Sequence, residues 1–587
     1  MSSTYGLFCP LLLSLLLFSS SASALTSHLN RIPRLRIARD SFLQDSGSAV
    51  SESVLNESQT FFFDQTLDHF NYRPESYVTF KHKYVINFKY WGGANSSAPI
   101  FAFLGGEEPL AQDIPVVGFL TDNAPRFKAL ILYIEHRFYG ESIPFGLSLE
   151  EALNNSNIRG HFNSAQTLVD YAEVIIHVKR MLNAQKSPVI VMGGSYGGSK
   201  LLRYKWPHFN MIKFNYHMRL FFMDNYYVPF ILKKEEEKKQ FCYDHLQPFT
   251  RTSRGSHVSL SLSLSLSMTT LNYFIDLFDS VLAAWFRLKY PHIALGAFAS
   301  SAPILLPVNF TPHYGYYTIV SKGFRETSET CYETIKRSWS EIDRVASKQH
   351  GLQYLSETFN TCEPLSNASE LKDYLISMYA AAAQYNDPFT TPVAKLCDAV
   401  NSNGSSSILN KIFAGVVASK RNSTNSSCYD ITPPRNASQT TLGWPWQTCS
   451  DLIITLARNN KTMFQPDKDT LHSYIEYCKS SYGVAPRPNW ISTYYGGQDI
   501  KLILQRFGSN IIFSNGLKDP YSNGGVLANI SDTIVTIYTV KGSHCLDITA
   551  ASKKDPDWLV KQREAEVETM ERWIHVYHDD LKKLRDS

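Results

Sequence analysis

At 587 residues the chain exceeds what one compact core holds, so two domains are expected. Lysines and arginines number 57 against 53 aspartates and glutamates, and this near balance argues against an electrostatic nucleic-acid binder. Aromatic residues make up 13%, which suits a large enzyme or a binding protein and distinguishes neither.

The chain opens on an apolar stretch, Leu7 to Phe18, too short to span a bilayer, followed by the small residues Ala22-Ser-Ala24. Residues 1–24 therefore read as a cleaved signal peptide, and no later segment is apolar enough to cross a membrane. Residues 25–58, with Arg31, Arg34, Arg36 and Arg39, read as a pro-segment or loose arm. Residues 59–199 carry alternating strands and helices, the pattern of an α/β sheet. Tyr84 to Tyr90 alternates as a half-exposed strand, whereas Pro99–Leu104 and Ala129–Ile134 are continuous apolar runs, as in strands buried on both faces. A helix is expected from Ser164, as N-cap, through Leu168, Tyr171, Val174, Ile175 and Val178. A further buried strand, Val189-Ile-Val-Met192, runs into Gly193-Gly-Ser-Tyr-Gly-Gly198.

Residues 200–280 break the pattern. They hold the charge run Lys233-Lys-Glu-Glu-Glu-Lys-Lys239 and then Ser259-Leu-Ser-Leu-Ser-Leu-Ser-Leu-Ser267. Perfect Ser-Leu alternation is what a TC dinucleotide repeat encodes, so this segment reads as an anomalous low-complexity insert, a translated intron. The sheet pattern resumes over 281–310, with a strand expected at Ile293–Phe298. Residues 311–492 turn helical: Ile335, Trp339, Ile342 and Val345 share one face, as do Leu371, Tyr374, Leu375 and Met378. Six cysteines fall in this stretch, Cys331, Cys362, Cys397, Cys428, Cys449 and Cys478, and read as three disulfides of unspecified pairing. Residues 493–587 return to the sheet at Asn510–Phe513 and Thr533–Tyr538, then form a helix with Val560, Val567, Met570, Ile574 and Tyr577 on one stripe. Sequons at Asn56, Asn95, Asn154, Asn309, Asn367, Asn403, Asn422, Asn425, Asn436, Asn460 and Asn529 agree with passage through the secretory route.

The strand before Gly193-Gly-Ser-Tyr-Gly197 makes Ser195 the nucleophile of a strand-to-helix elbow, where Gly193 and Gly197 permit the tight turn. A serine nucleophile needs a base, and the base an orienting acid. Asp519, in Asn515-Gly-Leu-Lys-Asp-Pro520, and His544, in Lys541-Gly-Ser-His544, each follow a strand in the order Ser, Asp, His. The expected oxyanion hole uses the backbone N–H of Tyr196 and one from Gly105-Gly-Glu-Glu108, taken as Gly106. His136 and His292 are competing histidines and read as structural. No CxxC pair or His-Cys cluster suggests zinc, and no metal or organic cofactor is expected.

Phe61-Phe-Phe-Asp-Gln-Thr-Leu-Asp-His-Phe70, Gly105-Gly-Glu107, Glu135-His-Arg-Phe-Tyr-Gly140, Gly193–Gly198, Asn515–Pro520 and Gly542-Ser-His544 together resemble the prolyl carboxypeptidase and dipeptidyl peptidase II family of serine peptidases. The resemblance implies an α/β-hydrolase domain with an inserted disulfide-rich helical cap, and removal of residues next to proline from short peptides. It implies Ser195, Asp519 and His544 as triad, Glu107 and Tyr521 as substrate-binding residues, and a vacuole- or lysosome-like compartment or the cell exterior. Two positions depart from the family: Tyr521 stands where a tryptophan is common, and Ser199 where a methionine is common. In relatives the elbow leads directly into a helix of the type seen here at Val281–His292. A dipeptidyl peptidase, another α/β-hydrolase esterase, and a catalytically dead peptide-binding glycoprotein are the rival readings. A homodimer is the oligomer considered; neither membrane nor nucleic-acid partners are expected.

Overall fold

The computed structural model describes residues 57–194, 279–306, 313–402, 407–420, 428–431, 437–454, 456–466, 471–496 and 499–586. The expected signal peptide and most of the arm lie outside these residues, as do Ser195, Tyr196, Ser199 and most of the 200–280 insert.

Eight strands form one sheet: β1 (Ser58–Thr66), β2 (Thr79–Asn87), β3 (Ile100–Leu104), β4 (Leu130–Ile134), β5 (Val189–Gly194), β6 (Gly296–Ser300), β7 (Ile511–Gly516) and β8 (Ile534–Thr539). Their order is β1-β2-β4-β3-β5-β6-β7-β8. The first two strands pair antiparallel with each other, and β2 with β4; every later pairing is parallel. Parallel strands require crossovers that cover both faces, which is why β3 to β6 are buried throughout. Each fully buried Val, Leu, Ile or Phe there contributes about 1.5–3 kcal/mol. This arrangement is the α/β-hydrolase sheet that the sequence led us to expect.

Some boundaries differ from expectation, each for a local reason. The strand expected at Ile293–Phe298 is Gly296–Ser300, because the amides of Ile293 and Ala294 donate to the Tyr290 carbonyl and close a turn first. The helix expected to be capped by Ser164 is capped by Asn163, whose side chain accepts from the Gln166 amide at 3.1 Å. Ser164 instead donates to Asp451. The strand expected to be half exposed at Tyr84 has Tyr84, Val85 and Ile86 buried, since both faces of β2 are covered: Tyr84 and Ile86 pack into one apolar cluster and Val85 into another. On the last helix (Asp557–Asp586) Val560 is 40% exposed and Leu559 takes the buried place.

Residues 315–482 supply a set of helices in the same compact unit, two of which, Gly315–Thr327 and Ala368–Gln384, pack on the short helix Pro520–Gly524 that follows β7. Three disulfides staple them: Cys331–Cys397, Cys362–Cys428 and Cys449–Cys478. Such bridges persist in oxidising compartments outside the cytosol. Among the described residues no helix is long and apolar enough to cross a membrane.

Candidate active site

The site is assembled where β7 and β8 end. Gly516 closes β7, and a Cβ there would run into the Gly542 backbone, so the two strand-end loops meet at glycine against glycine. The Lys518 amide donates to the Gly542 carbonyl at 2.9 Å and the Leu517 amide to Thr539 at 2.9 Å, locking one loop on the other. The chain then turns through Asp519, whose Oδ1 accepts from the Tyr521 amide at 2.9 Å and caps the short helix Pro520–Gly524. That contact aims Oδ2 at His544 Nδ1, 2.5 Å away, with both side chains buried.

The His544 loop is held from beneath. Cys545 adopts the left-handed backbone region (φ 49°) and its amide donates to Ser301 Oγ at 2.9 Å. The His544 amide donates to the Gln384 carbonyl at 3.0 Å, so a cap helix also fixes this loop. Burial works against a charged ring, but the Asp519 carboxylate first, and Cys545 second, raise the proton affinity of His544 well above the ordinary histidine value. Nε2 of His544 is buried and has no hydrogen-bond partner among the described residues.

Aromatic rings enclose the imidazole. The Tyr521 ring lies 5.7 Å from it and the Tyr385 ring 6.0 Å, edge-on; Tyr316 in turn sits 4.7 Å from Tyr521. Tyr316, Gln384 and Tyr385 belong to the cap, and sequence reasoning missed all three. Their helices carry aromatic residues at core spacing, which gives no sign that some face a site.

β5 and its Gly194 are fully buried and lead towards Ser195, which lies outside the described residues together with Tyr196. The helix after the insert, Asp279–Lys289, packs on β5 and β6 and buries Val281, Leu282, Ala283, Ala284, Trp285 and Phe286. Gly105 and Gly106 follow β3; a Cβ at Gly105 would sit 2.6 Å from the Ile134 carbonyl oxygen, so only glycine fits that turn. Glu107 is buried beside Glu108, Asp113 and Glu135; burial first, and then these neighbouring carboxyls, push the Asp113 pKa well up.

The remaining motifs are structural. His136 is buried, donates from Nδ1 to the Arg137 carbonyl at 2.5 Å, and burial lowers its pKa to about 3, so it stays neutral. His292 is exposed in a turn beside Tyr290. Arg137 and Asp170 form a fully buried bidentate pair at 2.5 and 2.6 Å, with His69 on the same carboxylate at 2.7 Å. Thus His69 and Arg137, one from each of the Phe61–Phe70 and Glu135–Gly140 segments, meet on Asp170 of the Ser164–Met181 helix, and Arg137 also donates to the Thr66 carbonyl at the end of β1. Among the described residues no group of His, Cys, Asp or Glu could hold a metal ion.

The Serine carboxypeptidase S28 family matches residues 65–211 and 277–566, leaving 212–276 unmatched. Curated relatives span nearly the whole chain. Lysosomal Pro-X carboxypeptidase of Pongo abelii is 30% identical, covering 94% of this chain and 95% of its own length. The mouse (Mus musculus) protein of the same name is 29% identical, covering 94% and 96%. The human (Homo sapiens) thymus-specific serine protease is 24% identical, covering 91% and 90%. With the α/β-hydrolase sheet and the buried Asp–His pair in hand, the chain belongs to the Serine carboxypeptidase S28 family and is a serine-type exopeptidase.

Proposed function

We propose that this exopeptidase cleaves short peptides next to proline, as a Pro-X carboxypeptidase, through an acyl-enzyme on Ser195. The observation that carries this reading is the buried contact between His544 Nδ1 and Asp519 Oδ2, with Nε2 left for a nucleophile. Ser195 Oγ bonds to the scissile carbonyl carbon while its proton passes to His544 Nε2. Asp519 holds Nδ1–H and stabilises the imidazolium, and the amides of Tyr196 and Gly106 hold the oxyanion. The C–N bond then breaks as His544 returns the proton to the leaving amine. Water, deprotonated by the same ring, releases the acyl group. Glu107 fixes the oxyanion loop against substrate, and the ring of Tyr521 gives proline a flat apolar wall, supported by Tyr316.

The proline preference rests on the names of the relatives and on that aromatic wall. Mass spectrometry of three peptide sets tests it: Pro-X at a free C-terminus, the same with an amidated C-terminus, and X-Pro at a free N-terminus. Cleavage of the first set alone supports the reading; cleavage of the third set alone turns it into a dipeptidyl peptidase. Lysosome-like or vacuolar residence is part of the proposal, supported by the lysosomal relatives and the disulfides.

Residues 200–280 are, in the same proposal, a translated intron. The unmatched stretch 212–276 and the buried helix that starts at Asp279 support it. Transcript reads joining the Gly198 codon region to Leu282 are expected; uniform inclusion of the segment contradicts the proposal.

A further inference from the structure

Beneath the His544 loop lies a second pair of carboxyls that the reaction does not use. Glu566, on the last helix, and Asp547, three residues after His544, are 0% and 3% exposed. Ser514 of β7 donates to Glu566 Oε1 at 2.6 Å, and Gln562 donates to Ser514 Oγ at 2.8 Å. Ser300, at the end of β6, donates to Asp547 Oδ1 at 2.6 Å. This leaves Glu566 Oε2 and Asp547 Oδ2, both buried and both without a donor among the described residues. Ser300 and Ser514 are register partners on the neighbouring strands β6 and β7, so the two carboxyls that they hold are brought side by side. Two carboxylates have no proton to donate. A single shared proton satisfies both oxygens.

The charged group facing the pair is Arg563. Its donors go to the carbonyls of Leu546, Asp547 and Thr549 and to the Asp555 carboxylate, so they are not spent on Glu566. The other facing groups, Ser300, Ser514 and Gln562, are neutral.

We propose that Glu566 and Asp547 share one proton, and that this pair is a latch positioning the His544 loop, which loosens as pH rises. Asp547 is the far end of the loop whose near end is His544, and the left-handed Cys545 lies between them. Ser300 and Ser301 hold one side of this turn, and Arg563 the other. Deprotonation puts two like charges under that turn. Burial first, then the Asp547 charge, holds the Glu566 pKa well above the ordinary carboxylate value. Between an unfolded value of about 4.3 and that raised value, the native state binds more protons than the unfolded one, so stability falls as pH rises. The link to catalysis rests on the reading of His544 as the base; the latch itself does not.

Hydrogen exchange of peptides covering residues 541–549 tests it in the full chain, at pH 5 and pH 7.5 with intrinsic rates divided out. Wild type, Glu566→Gln and Glu568→Gln are compared. A glutamine at 566 accepts from Ser514 and donates to Asp547 Oδ2 at every pH, so it imitates the protonated state. Glu568 is exposed on the same helix and serves as control. Wild type and Glu568→Gln are expected to lose protection by about tenfold for each pH unit in the titrating window, while Glu566→Gln keeps it. A Glu566→Gln loop that loosens as much as wild type overturns the latch, as does a wild-type loop equally protected at both pH values. Should Glu566→Gln fail to fold, Asp547→Asn offers the same donor from the other side and decides the same question. Fluorophosphonate labelling at Ser195 is followed in parallel, and Glu566→Gln extends it to higher pH. Labelling absent in every variant refutes the Ser195–His544 reading, while the exchange result still decides the latch.

Discussion

Asp519 and Arg137 are both buried and charge-paired, yet their loss has different consequences. Asp519→Asn keeps the shape of the turn but removes the charge that favours protonated His544 and the acceptor that fixes its tautomer. We expect kcat to fall by about 10⁴-fold with the melting temperature little changed, read by steady-state kinetics beside calorimetry. Arg137→Met leaves the Asp170 carboxylate buried without its partner, and should destabilise the chain by about 3–5 kcal/mol, measured by chemical denaturation. Asp519 and His544 were legible in the sequence because strand ends, chain order and flanking glycines all constrain them. Glu566 was not. The sequence shows only the apolar stripe Val560, Val567, Met570, Ile574 and Tyr577 on that helix, and only the fold buries a carboxyl beside it. The Arg137–Asp170 pair was equally hidden, since no local pattern joins residues 33 positions apart.

At the level of elements, the strands could be read because continuous apolar runs admit few alternatives, whereas their ends depend on turns that periodicity does not report. β6 begins after a turn made by Tyr290, and the Ser164–Met181 helix takes its cap one residue earlier than Ser164 because Asp451 claims that serine. The disulfide pairing was beyond the sequence, because six cysteines permit 15 connectivities and the helices decide among them. Removing the Cys331–Cys397 bridge, which closes 66 residues, should cost about 0.7 kcal/mol more than removing Cys449–Cys478, which closes 29. Calorimetry of the two double Cys→Ser variants gives the comparison. Gly516→Ala is the sharpest test of how the site elements meet. A methyl group there collides with Gly542, forces the Asp519 and His544 loops apart, and should lower kcat by about 100-fold or more. Wild-type kcat in that variant contradicts such a loop junction.

Across the whole molecule two sets of buried groups oppose each other as pH changes. Asp113 and Glu566 have raised values, so the stability they allow declines as pH rises above the ordinary carboxylate range. His82 and His136 are buried neutral with lowered values, so their contribution declines as pH falls below the ordinary histidine value of about 6.5. The melting temperature should therefore peak between roughly pH 4.5 and 6.5. A profile that rises steadily through pH 8 contradicts this balance.

Whether Ser195, His544 and Asp519 act as one unit in the chain as written is tested most directly by fluorophosphonate labelling, with the modified peptide located by mass spectrometry. Labelling at Ser195 that is lost in His544→Ala is the expected result. If no label appears until residues 200–280 are deleted, the triad stands in the encoded family but not in this chain. Labelling of Ser195 that survives in His544→Ala, or of a different serine altogether, contradicts the triad.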